Sequence, residues 1–492
     1  MKSHSQAICC SVTRDYLPGL VVFYNSVLEY QDIPLYVLIA DIDSGETADM
    51  ATRLSVFFPE STRGKVHVIA PVEIYGQAIH QMRHYYDAFE LSTACKGGIL
   101  SWMQRSTTID RWLYLDSDML CFGKLEPFFT ALDTSCILLT PHRTKPCATA
   151  LDDIQYLSAG VFNAGVIGVR RSSESQAFTE WLCTVLSHYC LNDPLLPPQD
   201  RFIQSTLLFV DQVWMDLVPA YFPKVVVLAG RGFNLGHWNA DEGQLARRDG
   251  ELYMGEDRVT LLHLSGWLED QPGRFSKYSL LDWSGNAVWI DLHKRYRESL
   301  AFLKEHCSVK YRFNNYPDGR DIPRMHRRAY LRHLLDGNPP VDEISHESIA
   351  AIAARYEEQR KADSDYHGMI SDRDNLISEL REKLEDAELA AAIQQYRLAH
   401  STILGWFLRL CTNYYSNSAL HRVEELLTCE DHTFIRKIYM SLLGRSPDPE
   451  GMAFYLKRLH GGLARTEILD SICTSPEYVS KTKNMRSTVS DG

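Results

Sequence analysis

The chain has 492 residues and a net charge of −12, with 45% hydrophobic and 23% charged residues. That length exceeds one ordinary core and implies two or three domains. The acidic balance leaves no global basic field, which argues against nucleic acid as a partner, and no apolar run approaches the ~20 residues that span a bilayer.

Met1 to Gln6 leads straight into strand-like sequence, without the basic-then-apolar shape of a signal peptide. Ala7 to Val12 reads as a buried strand, Leu17 to Tyr30 as a helix, and Leu35 to Ala40 as a strand ending at Asp41-Ile42-Asp43. Val66 to Ile69 is a third strand and Phe89 to Arg105 a helix. The strand ending at Asp116 follows, then Ile137 to Leu139, Val166 to Val169, Val225 to Leu228 and Val259 to Leu262. This alternation predicts an α/β sheet domain over residues 1–310.

Beyond it the sequence turns helical. A helical extension, 311–365, contains the basic helix Arg324 to Leu335, with Arg324, Arg327, Arg328 and Arg332, and the polar helix Ile349 to Arg360. The basic helix reads as a solvated face, with contact to anionic lipid as the alternative. Residues 366–400 carry Ile370, Ile377, Leu380, Leu384, Ala387, Ala391 and Leu398 in a 3/4 alternation. That is either a short coiled coil pairing two copies over 370–398, a homodimer, or one amphipathic helix on its own chain. A helical linker, 401–429, includes the apolar patch Trp406 to Leu410. A small helical C-terminal domain, 430–482, is predicted from Phe434 to Leu443, Pro449 to Leu459, Thr466 to Cys473 and a last turn at Pro476 to Val479, with a stop at Gly444-Arg-Ser-Pro-Asp448. The twelve cysteines include no CxxC pair, so they are expected as free thiols in a reducing, cytoplasmic setting.

The stretch with most chemical content is Trp112-Leu-Tyr-Leu-Asp116-Ser-Asp118-Met-Leu120. Residues i and i+2 of a strand share a face, so Asp116 and Asp118 can converge on one cation where the strand leaves the sheet. Hard carboxylate oxygens suit Mg²⁺ or Mn²⁺, and such an ion is most useful against a diphosphate. An Asp-x-Asp alone is as readily a polar exit from a strand; its company decides. Ser158 to Val166 brings small residues and Asn163, Phe209 to Trp214 brings Asp211 beside Gln212, and Phe233 to Asn239 sets polar groups among aromatics. Leu261 to Trp267 then places His263 at a strand end, where its imidazole could complete a Mn²⁺ site.

This order resembles the retaining GT-A glycosyltransferases of the glycogenin and lipopolysaccharide galactosyltransferase type, over roughly residues 6–280. The motifs are Thr13-Arg14-Asp15-Tyr16, Lys96, Tyr114-Leu-Asp-Ser-Asp118, Phe162-Asn-Ala-Gly165, Asp211-Gln212 and His263-Leu-Ser-Gly266. The resemblance implies a Rossmann-like nucleotide-sugar-binding catalytic domain, followed here by an all-α C-terminal region. It also implies a nucleotide-sugar donor, usually a UDP-sugar, and Mn²⁺, with Mg²⁺ as the alternative. By the same resemblance Asp116, Asp118 and His263 hold the metal, and Thr13 and Asp15 meet base and ribose. Lys96 lies beside the donor sugar and the Asp-x-Asp. Asn163 and Gly165 line the sugar site, Asp211 binds donor hydroxyls, and Gln212 lies beneath the anomeric carbon. Lys277, or Arg274, would contact the diphosphate. Two departures stand out: Gly266-Trp267-Leu268-Glu269 replaces the family's Gly-Pro-x-Lys-Pro-Trp, and Val213 follows Asp211-Gln212 where a second acid is usual. The acceptor expected is a glycan or lipid-linked molecule of bacterial surface polysaccharide, met in the cytoplasm or peripherally at the inner face of the membrane. Residues 430–482 resemble a small helical domain of unassigned function from bacterial surface-related and glycosyltransferase proteins. The rival readings are a degenerate transferase fold serving as a sugar-binding scaffold and, further off, a haloacid-dehalogenase-type phosphatase. Leu120 stands where that phosphatase family wants Thr or Val.

Overall fold

A computed structural model describes residues 5–62, 64–192, 208–307, 309–362 and 425–481, with five isolated residues between the last two spans. The chain divides into two compact units, Met1–Glu358 and Gln359–Gly492. The coiled-coil expectation over 366–400 and the patch Trp406 to Leu410 lie outside the described residues, apart from a few isolated positions.

The first unit is built on β1 (Gln6–Val12), β2 (Leu35–Ile39), β3 (Val66–Ile69), β4 (Arg111–Leu115), β5 (Met119–Cys121), β6 (Ile137–Pro141), β7 (Phe162–Arg170) and β8 (Val225–Val227). β9 (Leu245–Arg248), β10 (Glu251–Met254) and β11 (Asp257–Arg258) form a small separate sheet, and β12 (Leu261–His263) pairs with β5. The main sheet runs β3-β2-β1-β4-β7-β6-β8. It is parallel through β3, β2, β1 and β4, while β7 runs antiparallel to both β4 and β6. Alternate residues feed two cores: Ala7, Cys9, Trp112 and Tyr114 face one, and Ile8, Cys10, Leu113 and Leu115 the other. A sheet covered on both faces needs strands that are apolar throughout, which is why these segments read as continuous hydrophobic runs.

The structure departs from the sequence reading in four instructive places. β7 starts at Phe162, so Asn163-Ala-Gly165 lies within a strand. The strand predicted over Val259 to Leu262 runs instead from Leu261 to His263. Asp116 and Asp118 do not share a strand face; they lie in the turn that links β4 to β5. The basic helix, Arg324–Leu335, is not a solvated face: Arg327 and Arg328 are buried. Arg328 pairs with buried Glu90 at 2.5 Å. Arg327 donates to the carbonyls of Tyr86 at 2.5 Å and Phe313 at 2.8 Å. These charges brace the start of helix Ala88–Ser106, and sequence spacing could not separate a buried arginine from a surface one.

In the second unit, Asp431–Ile438 continues as a π-helical turn Tyr439–Leu443, followed by helices Pro449–His460 and Arg465–Cys473. Gly444 takes the left-handed cap at φ 74°, and Asp448 caps the next helix by accepting from Gly451 N at 2.7 Å. Among the described residues no disulfide is present, and no described helix is long and apolar enough to cross a membrane.

Candidate active site

A cleft of about 1350 Å³ opens above the β4–β5 turn. Thr13, Asp15, Lys96, Asp116, Asp118, Asn163, Gly165, Asp211, Gln212, His263 and Lys277 all line it, so the fold brings every expected site residue to one place. Arg274 does not line it; its guanidinium donates to the carbonyl of Ser279 at 3.0 Å.

One ligand atom from each of Asp116, Asp118 and His263 lies within 4.8 Å of the others. The pairing of β5 with β12 sets His263 opposite Met119, one residue from Asp118. His263 Nε2 sits 3.0 Å from Asp118 Oδ1 and 3.9 Å from Asp116 Oδ2. Adjacent ligands on a hard octahedral cation stand about 3 Å apart, so two carboxylates and one imidazole fit a Mn²⁺- or Mg²⁺-sized ion. His263 Nδ1 lies 3.3 Å from Asn234 Oδ1, an acceptor, which fixes the proton on Nδ1 and leaves Nε2 for metal. Gly165 keeps the cradle open: a Cβ there would stand 2.4 Å from His263 Cε1 and 2.9 Å from Asp116 Oδ2. Burial alone would lower the His263 pKa, but the neighbouring Asp118 carboxylate raises it above the usual value. Asp118 ends below its usual value, burial being outweighed by His263.

Lys96 is buried in the middle of the Ala88–Ser106 helix. Gly97 beside it lets that helix close on Ser173–Tyr189, since a Cβ would lie 2.8 Å from Cys183 Cα. The ammonium pairs with Asp211, lies 3.5 Å from Asp116 Oδ1, and donates to the carbonyl of Ala164 at 2.8 Å. That carbonyl is available because the pairing of β6 with β7 slips between Leu139 and Thr140, removing Ala164 from the ladder. Burial works against the charge of Lys96, yet Asp116 and Asp211 hold its pKa above the ordinary value. Burial likewise raises Asp211, with Lys96 opposing. Val210, just before Asp211, has φ 43°. For a β-branched residue this is strain of about 1–3 kcal/mol, stored where a side chain is aimed into a cleft.

Several neighbours that were given no role from the sequence support these groups. Tyr114 donates to Asp116 Oδ1 at 2.9 Å, and the Lys96 ammonium lies 4.7 Å from its ring centre. Asn234 donates to Asn163 Oδ1 at 2.9 Å and to Thr140 Oγ1 at 2.9 Å. His142 lies beside Asn163, and Trp238 stands edge-on to His263 at 5.0 Å. Asn234 and Trp238 were visible as polar and aromatic residues together; His142 gave no sequence signal.

Comparison with known proteins gives three findings. Residues 419–482 match a family described as a domain of unknown function, DUF4214. The chain is 21% identical to the uncharacterized protein YfnF of Bacillus subtilis (strain 168) over 327 residues, which is 64% of this chain and 99% of that protein. Among solved structures it is similar to the galactosyltransferase LgtC in complex with donor and acceptor sugar analogues, at 17% identity and a TM-score of 0.36, covering 62% of this chain and 97% of that one. Mouse xyloside xylosyltransferase 1 is also similar, at 15% identity and a TM-score of 0.32, covering 53% of this chain and 97% of that one.

Proposed function

We propose that the first unit is a metal-dependent, retaining glycosyltransferase of the GT-A type, moving a sugar from a nucleotide-sugar, a UDP-sugar by resemblance, to a glycan or lipid-linked acceptor. The observation that carries this is the convergence of Asp116, Asp118 and His263 beside a buried Lys96–Asp211 pair in a single large cleft. A bound Mn²⁺ or Mg²⁺ would neutralise charge on a departing diphosphate.

The chain's own groups divide the remaining work. Thr13 and Asp15, at the carboxyl end of β1, occupy the place where an open α/β sheet binds a nucleotide. Lys96 supplies a fixed positive charge that needs no reorganisation as the leaving oxygens gain charge. Exposed Lys277 is the second cation for the diphosphate. Asp211, held by Lys96, accepts from donor hydroxyls. Gln212 is a neutral amide whose Oε1 already accepts from Asn163 Nδ2 at 3.0 Å, so it is a poor nucleophile. We therefore favour attack of the acceptor hydroxyl on the face that the diphosphate leaves, the leaving phosphate taking the hydroxyl proton. Asp211 as a covalent nucleophile is the weaker alternative, because it is committed to Lys96.

The test is a panel of nucleotide-sugars with Mn²⁺, Mg²⁺ or chelator, reading released nucleoside diphosphate. One sugar turned over only with metal is the expected result. A flat panel, with no thermal stabilisation by UDP plus Mn²⁺, would overturn the reading in favour of a degenerate scaffold. Phosphate released from simple monoesters would point to a phosphatase.

A further inference from the structure

We infer that His142 is a positioning residue for the reactive end of this cleft: its imidazole holds the Asn163 amide, and through it the Gln212 amide, in a single orientation. The inference rests on the transferase reading and adds a residue to it.

His142 follows β6 and is 4% exposed. Its backbone N–H donates to Val161 O at 2.9 Å, which pins it against the entry to β7. Both ring nitrogens are engaged, and the Gln212 side chain is also within hydrogen-bond reach of the ring. Nδ1 lies 2.7 Å from the carbonyl of Gly160, which can only accept, so Nδ1 carries the proton. Nε2 is then bare and accepts from Asn163 Nδ2 at 3.3 Å. The second proton of that amide goes to Gln212 Oε1 at 3.0 Å. At the other end Asn163 Oδ1 accepts from Asn234 Nδ2 at 2.9 Å and from Gly165 N at 3.0 Å. A flipped Asn163 would set its oxygen against two acceptors and its NH₂ against two donors, so one arrangement survives.

The second route to Gln212 is through the backbone. Gly160 has φ 99°, and a Cβ on it would stand 3.0 Å from the Gln212 carbonyl carbon. The Nδ1–H bond to Gly160 therefore steadies the surface on which Gln212 rests. Only the neutral ring accepts from Asn163, because an imidazolium would turn Nε2–H toward the Asn163 NH₂ and lose that bond. Burial pushes His142 down to about 4, so the neutral ring is the form present near neutrality. The consequence is chemical: the Gln212 oxygen is occupied, and the NH₂ end is what the amide can offer a substrate oxygen.

Three variants separate the two routes. His142→Phe removes both contacts. His142→Gln places an acceptor near the old Nε2 position and loses the Gly160 bond. His142→Asn keeps a donor near Nδ1 and cannot reach Asn163. Each is measured for donor turnover with Mn²⁺, as kcat and KM separately, and for Mn²⁺ affinity by electron paramagnetic resonance. Removing such a supporting partner is expected to lower kcat on the order of 10- to 100-fold in the Phe variant, with Mn²⁺ affinity unchanged. The Gln variant should recover most of the loss and the Asn variant little. Wild-type kcat in the Phe variant, or rescue by Asn and not by Gln, would overturn the assignment. If the Phe protein does not fold, the Gln and Asn pair decides by itself. A wild type that turns over no donor sinks the transferase reading and this inference with it. A wild type that turns over, with variants indifferent to the residue at 142, sinks this inference alone.

Discussion

The two units use their polar residues in opposite ways. In the helical unit the signature residues serve the fold: Arg445 forms a fork to Glu477 at 2.6 and 2.9 Å, Asp448 caps a helix, and Gly444 ends one. In the α/β unit, Asp116, Asp118, His263 and Lys96 crowd like and unlike charges into one cleft. A motif whose polar atoms satisfy one another at the surface reads as architecture. A motif that gathers charge at partial burial reads as a place for a ligand, because that arrangement is costly until something binds.

The contrast breaks most sharply on activity. Asp116→Ala should lower donor turnover at least about 10²-fold while the melting point holds; turnover at the wild-type rate with metal dependence intact would sink the metal assignment. On stability, Lys96→Met leaves the Asp211 carboxylate buried without its partner and should cost about 3 kcal/mol or more by denaturant titration. Adding Asp211→Asn should return part of it, and a harmless Lys96→Met would mean the pair is not buried as described.

A third effect follows from pH. His142 is held down to about 4 against an ordinary value near 6.5. Between those values the unfolded chain takes up a proton that the folded ring refuses, so stability falls as pH drops from about 6.5 to 4. The full loss is roughly 3 kcal/mol. Denaturation at stepped pH should show His142→Phe with a flatter acid limb, and identical limbs would refute the assignment.

Smaller again, Gly165→Ala puts a methyl group into the cradle and should weaken Mn²⁺ binding on the order of 10-fold in a direct titration. The smallest effect belongs to the helical unit. Arg445 and Glu477 are both partly exposed, so Glu477→Gln should cost under about 1 kcal/mol and leave donor turnover alone. A large activity loss there would erase the division between the units.

The strands of the main sheet, the long helix Ala88–Ser106 and the order of polar motifs were legible because each is a local pattern: apolar runs bounded by turns, and side chains two or three positions apart. Asp116 and Asp118 were found that way, although they converge through a turn and not along a strand, and His263 was found from its place at a strand end in the order of motifs. What the amino-acid order determined by itself was therefore the α/β plan, the helical C-terminal region and a set of polar residues that the fold gathers in one cleft. Tertiary structure alone decided their partners. The slip between β6 and β7 frees the Ala164 carbonyl for Lys96, and Asn234 joins His263 to Asn163. His142 meets Asn163 across 21 positions of chain, and Arg328 finds Glu90 across 238. Hydrogen bonds act over about 3 Å of space and carry no trace of separation along the chain, so a residue like His142 has no pattern to be read until the strands are in register.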